Sequence, residues 1–242
     1  MKFFKIVLFA VPLFVVAGCE TLNQAGQILT KTGTGSPTQT EIILGLKQAL
    51  EFGTANSAGR LSVTDGYFGN AAVKIAFPEE AQKAERTLRS LGLNKLADNV
   101  ILSINRAAES AAQEAKPIFI AAIKQMTIQD AVHILLSDQK DAATLYFKRV
   151  TGEQLADKFR PVIQSSLNNV GATRYWSEAV SRYNQIPLVA DIDPDLAAYV
   201  TDKAIDGLFH EIAEEELKIR TNIAARETSL LQKVFGYADR SR

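Results

Sequence analysis

The residues best equipped for chemistry in this chain are few, and most of them stand alone. Histidine occurs twice, at His133 and His210, and the only cysteine is Cys19. His210-Glu211-Ile212-Ala213-Glu214 comes near the His-Glu-x-x-His pattern, in which two imidazoles one helical turn apart hold zinc and the glutamate acts as base. Here the second histidine is replaced by Glu214, so no metal ligand set is assigned. Di-iron bundles need paired Glu-x-x-His segments, and neither histidine has a glutamate three residues before it. A serine elbow of the Gly-x-Ser-x-Gly type and a phosphate-binding glycine loop are also absent from the sequence. Acid-base chemistry would have to come from carboxylates such as Glu109, Asp130 or Asp206, which carry no motif. No catalytic residue and no cofactor is therefore assigned.

Aromatic and cationic side chains lie together in two places, Tyr146-Phe147-Lys148-Arg149 and Arg174-Tyr175-Trp176. Stacking plus charge at such pairs suits an anionic or ring-bearing ligand. Tyr146, Lys148, Arg149, Tyr175 and Trp176 are accordingly candidate contacts for a ligand or partner. Trp176, spaced at helical intervals with Val180 and Tyr183, has the alternative of filling a core, with its indole N–H bonded to a carbonyl. Tyr67 and Phe68, between Gly66 and Gly69, are expected to form an exposed patch for a partner.

These residues must be positioned by helices. The 242 residues are 47% hydrophobic and 22% charged, which excludes disorder and suits one large domain or two small ones. Acidic and basic residues number 27 each and no basic run exceeds two residues, so a nucleic-acid function is excluded. Ser36 before Pro37, with Gln39 following, reads as a helix start, and helix is expected to about Asn56. Val73, Ile75 and Phe77 alternate with Lys74 and Ala76, giving one extended piece laid across helices near residues 72–77. Ile101, Ile104, Ala108, Ala111, Ala115, Ile118 and Ala122 form a narrow seam, with a kink expected at Pro117. Thr127 with Asp130, Asp138 with Asp141, and Thr151 with Gln154 read as the starts of three short helices. Gly171 breaks the helices that follow, and Asp193-Pro194 opens a long helix with Leu196, Val200, Ala204, Leu208 and Ile212 on one stripe. Glu214 with Lys218 and Glu216 with Arg220 read as i,i+4 pairs on an exposed face of that helix. A last helix runs from about Ile223 to Phe235 and ends at Gly236. The fold class is all-α, an irregular multi-helix bundle of about nine helices.

The N-terminus carries an address. Lys2 and Lys5 precede an uncharged apolar run, Ile6 to Val16, that is too short to span a bilayer and ends in Ala17-Gly18-Cys19. Val16-Ala17-Gly18-Cys19 resembles the lipobox of bacterial lipoproteins, with Val16 standing where Leu is commoner. That resemblance implies cleavage after residue 18, acylation of Cys19 and a membrane partner through the lipid anchor. Residues 1–18 are then a signal peptide, 19–36 a lipidated tether containing the polar stretch Thr30 to Thr40 in part, and 37–242 a single helical domain. With one cysteine in the chain, no disulfide forms within it. Glu20, rather than Asp, after the acylated cysteine implies the outer membrane, with the domain facing the periplasm and an envelope protein as its partner.

The stretches AKPIF (115–119), AIKQMTIQDAVHILL (122–136), YFKRVT (146–151), GATRYW (171–176) and DLAAYVTDKAIDGLFHEIAEEELKIR (195–220) together resemble a family of bacterial lipoproteins with one helical domain of unknown function. The resemblance covers roughly residues 40 to 236 and implies a cell-envelope home but no activity. Three functions follow as expectations: a tethered interaction module, a binder of a small apolar or amphiphilic ligand between helices, and a carboxylate-dependent hydrolase.

Overall fold

The computed structural model describes residues 36–90, 92, 94–183 and 195–241. These form nine α-helices: α1 Gln39–Leu61, α2 Gln82–Ser90, α3 Asn94–Ala112, α4 Ala115–Gln125, α5 Ile128–Leu136, α6 Ala142–Asn169, α7 Ala172–Tyr183, α8 Leu196–Thr221 and α9 Ser229–Ser241. Short 3-10 turns at Glu79–Ala81 and Ile223–Ala225 complete the set, and no strand occurs among the described residues. The all-α irregular bundle expected from the periodicity is the fold observed. The leader and tether, residues 1–35, and the Asp193-Pro194 start lie outside the described residues.

Helix α6 is the central post, packing along α3 on one side and α8 on the other, while α1 crosses α8 and is covered by α4, α5 and α9. The alanine seam explains the close α3 packing, since Ala108, Ala111 and Ala115 are fully buried with Ile104. Around Phe119 the core is aromatic, with Phe147 at 5.3 Å and Phe209 at 6.2 Å, both edge to face. The α8 stripe is buried along its whole length, from Leu196 through Val200, Ala204 and Leu208 to Ile212.

Several starts and stops differ from the sequence reading, each for a local reason. Thr38, not Ser36, caps α1, because Thr38 Oγ1 accepts from the Glu41 amide while the Glu41 carboxylate accepts from the Thr38 amide. The helix then runs five residues beyond Asn56, to Leu61. At Pro117 the chain does not kink within one helix. It ends α3 at Ala112 and restarts at Ala115, so that the proline stands in a first turn where its missing amide has no intrahelical duty. Thr127 and Asp130 do form the expected capping box of α5. Thr151 starts nothing: it lies inside the 28-residue α6, where its hydroxyl donates to the Phe147 carbonyl at 2.7 Å. Pro161 also lies inside α6, on its exposed side. Asp195 caps α8 by accepting from the Ala198 amide at 2.9 Å. The last helix is shifted toward the C-terminus, with Gly236 inside it rather than ending it.

Candidate interaction grooves

The C-terminal half of α8 carries a buried set of charges. Glu216 and Arg220, expected on an exposed face, are 9% and 6% exposed. Glu216 accepts from the Ala143 and Thr144 amides and the Thr144 hydroxyl, all at 2.9 Å, and so seats a carboxylate on the N-terminus of α6. Arg220 donates to Glu216 and, through Nη2, to the Ile134 carbonyl at 2.8 Å, seating a cation on the C-terminal carbonyls of α5. One i,i+4 pair thus closes two helix ends at once. Lys218 pairs with Glu215 at 3.7 Å rather than with Glu214. Arg226 continues the pattern by donating to the Ile219 and Arg220 carbonyls at the end of α8.

The other half of the polar interior ties down the loop from residue 62 to 78. Glu109 of α3, 4% exposed, accepts from the Tyr67 and Phe68 amides and from Arg106. Glu211 accepts from Arg60 and from the Asn70 side chain. Asn105 is wholly buried and acts as a substitute strand: its Oδ1 accepts from the Ile75 amide at 2.9 Å and its Nδ2 donates to the Ile75 carbonyl at 2.8 Å. This is how an extended piece lies across helices without a sheet, with Val73, Ile75 and Phe77 inward and Lys74 and Ala76 exposed. Neither the two anchoring acids nor Asn105 had a signal in the sequence beyond being polar at an inward helical position.

Tyr67 is therefore not part of an exposed patch. It is fully buried, and its hydroxyl donates to the Ala204 carbonyl at 2.6 Å. Burial, with the Glu211 and Glu109 carboxylates adding to it, pushes that hydroxyl well above the usual phenol range, so it stays a donor. Gly207 makes the fit, because a Cβ there would lie 2.8 Å from the Tyr67 ring and 3.1 Å from Val73 Cβ. Phe68 is half-buried, with the Lys74 ammonium 4.0 Å above its ring.

Two of the open grooves among the described residues lie beside these clusters. The first, about 360 Å³, runs between residues 72–76 and α8 and is walled by Tyr199, Lys203, Asp206 and His210, with Gly207 in its lining. The second, about 200 Å³, lies between α5 and the start of α6, where Asp130, His133, Tyr146 and Arg149 meet Leu145. In that groove the Arg149 guanidinium lies 5.6 Å from the Tyr146 ring centre. Burial, with the Asp130 charge nearby, raises the Tyr146 hydroxyl above its ordinary value. Ile128 and Leu145 are about half exposed on the same two helices.

The Tyr146 to Arg149 cluster is thus divided between faces, as successive residues on a helix must be. Tyr146 and Arg149 line the second groove, Phe147 is core, and Lys148 lies 3.8 Å from Asp206 of the first groove. Trp176 is buried against Phe77, ring centres 5.9 Å apart. Its Nε1 has no acceptor among the described residues, contrary to the carbonyl bond expected. The side chain of Tyr175, like Cys19, lies outside the described residues. Of the three carboxylates weighed for acid-base work, Glu109 holds a loop, Asp130 caps α5 and Asp206 faces Lys148, so they serve three separate structures. Glu211, the base of the near-zinc motif, is engaged by Arg60 and Asn70. The apolar cavity between α1, α6, α8 and α9 holds only about 20 Å³, room for about one water and for no apolar ligand.

A family model described as a protein of unknown function (DUF4197) matches residues 36–236. The chain belongs to that family. The DUF4197 region begins two residues before the Thr38 cap and ends within α9, so both grooves and both polar junctions lie inside it. No curated protein and no solved structure matches the chain.

Proposed function

We propose that this DUF4197 protein is a lipid-anchored module of the bacterial cell envelope that works by holding a partner protein. The observation that carries the reading is the apolar leader ending in Val16-Ala17-Gly18-Cys19, which supplies a cut site and the one thiol in the chain. Glu20 after that cysteine supports outer-membrane sorting, and the polar stretch that follows supports a tether to the helical domain. Binding rather than catalysis is favoured because Glu109, Asp130 and Asp206 are each engaged in separate structural contacts, while two grooves and the apolar side chains Ile128 and Leu145 face solvent.

The test is metabolic labelling with an alkyne fatty acid, followed by membrane fractionation. The wild-type chain takes the label and sediments with the outer membrane, and Cys19→Ala loses both properties. An unlabelled wild-type chain recovered in the soluble fraction would overturn the anchor. Crosslinking in intact cells tests the second half of the reading, and the absence of any reproducible envelope partner would overturn it.

A further inference from the structure

We propose that the groove between residues 72–76 and α8 receives an extended, acidic segment of a partner protein, which joins the chain at Lys74 and Ala76 as an added strand. The proposal rests on the reading of the domain as an interaction module and is independent of the lipid anchor.

In extended backbone, the amide and carbonyl of one residue share an edge and those of the next residue point to the opposite edge. Both polar groups of Ile75 face Asn105. Those of Ala76 consequently face α8, and the Tyr199 hydroxyl donating to the Ala76 carbonyl at 3.1 Å bears this out. On that same edge the Lys74 carbonyl and the Ala76 amide have no partner among the described residues. An acceptor at one residue and a donor two residues on are the two halves of a parallel bridge. A single incoming residue gives its N–H to the Lys74 carbonyl and takes the Ala76 N–H on its own carbonyl. Asn105 holds the receiving segment rigid from behind, so little ordering cost falls on the receptor.

The walls select the occupant. In a parallel bridge the incoming residue's side chain lies on the same face as that of Ile75, the inward one, which suits an apolar side chain. Its neighbours turn outward beside Lys74 and Lys203. Asp206, the one acid in the lining, faces Lys148 at 3.8 Å, and Lys203 has no carboxylate partner among the described residues. The groove is therefore cationic toward an incoming chain, and glutamate or aspartate at the outward positions completes it.

The experiment uses the full chain in detergent micelles and a capped hexapeptide alternating valine and glutamate, read by hydrogen exchange with mass spectrometry and by fluorescence titration. Saturable binding with new protection confined to residues 72–77 is expected. A twin peptide N-methylated at its central valines cannot donate to the Lys74 carbonyl and should bind at least tenfold more weakly, as should a lysine-for-glutamate twin. Ala76→Pro removes only the receiving amide and leaves Ile75 extended, with the same expected loss. Lys203→Glu tests the wall without touching the backbone, and Lys203→Arg should restore binding. Failure of the hexapeptide to bind, or binding of equal strength to Ala76→Pro and by the N-methylated twin, overturns the proposal. The interaction reading fails separately: partner crosslinks in intact cells that map to α5 and α6 retire this groove alone, whereas no partner at any position retires the module.

Discussion

The two halves of α8 bury similar stretches of helix by different means. From Leu196 to Leu208 the inward residues are Leu, Val, Ala and Gly with one threonine, Thr201, bonded within the helix, and the helix is held by area removed from water. From Glu211 to Arg220 the inward set includes three glutamates and an arginine, held by directional bonds to α1, α5, α6 and the 62–78 loop. Apolar contact tolerates small slides of one helix along another. A carboxylate seated on two amides does not, so the charged half sets the register of the bundle while the apolar half supplies its adhesion.

The largest effect should come from breaking the charged half on one side only. Glu216→Ala strands the Arg220 cation and orphans the α6 amides, at an expected cost of about 3–5 kcal/mol in denaturant unfolding. The double variant Glu216→Leu, Arg220→Met sharpens the point. It should recover part of that loss and stay below wild type, because the α5 carbonyls and α6 amides still lack partners. A double variant as unstable as the single one would show that the helix ends, not the stranded charge, dominate. In the apolar half, Leu208→Ala should cost about 3 kcal/mol and Leu208→Met under about 1.5, the graded response of packing. Gly207→Ala, at the boundary between the halves, drives a methyl into the Tyr67 ring and should cost about 1–3 kcal/mol, with faster amide exchange across 62–78.

The smallest effect separates an exposed cap from the buried ones. Hydrogen bonds from the Thr127 hydroxyl and then its amide hold the Asp130 carboxyl below its ordinary value of 3.8. A lowered folded-state pKa contributes stability that is fully present above the unfolded value and is lost as pH falls through the folded one. Thr127→Val should therefore lower the melting temperature slightly at neutral pH, with the gap to wild type closing below about pH 4. A gap that stays constant with pH would assign the loss to the hydroxyl alone.

Several local signals in the sequence held because the physics behind them is local, although the equally local Ser36 cap, Thr151 start and Gly236 stop did not. The Thr127 box, the Gly171 break, at φ 70°, and the alternation at 73–77 are properties of neighbouring residues, and they are found where the sequence places them. Glu216 and Arg220 show the limit. An i,i+4 acid-base pair has the same spacing on a wet face as under a covering helix, and only the arrival of the α5 and α6 ends distinguishes the two. Tyr67 is the same case in a loop: turn residues on both sides suggest exposure, but the absent side chain of Gly207, 140 positions along the chain, makes its burial site. The groove was half legible, since the extended piece is periodic while the acids and amide that pin it are not.

The pairings of α1 give the molecule a history as well as a shape. Arg60 bonds Glu211, Gln48 accepts from Thr228, and Glu41 accepts from Lys233, so the first described helix finds its last side-chain partners 151 to 192 residues later. A chain made from its N-terminus cannot complete this core during synthesis. The apolar face of α1, with Leu46, Ala49 and Leu50, is packed by α4, α5 and α8 first and is not fully covered until α9 has emerged. Premature termination before residue 229 should therefore yield a species that chaperones and proteases treat as unfolded, and completion of the last helix is the event that releases the domain from their care.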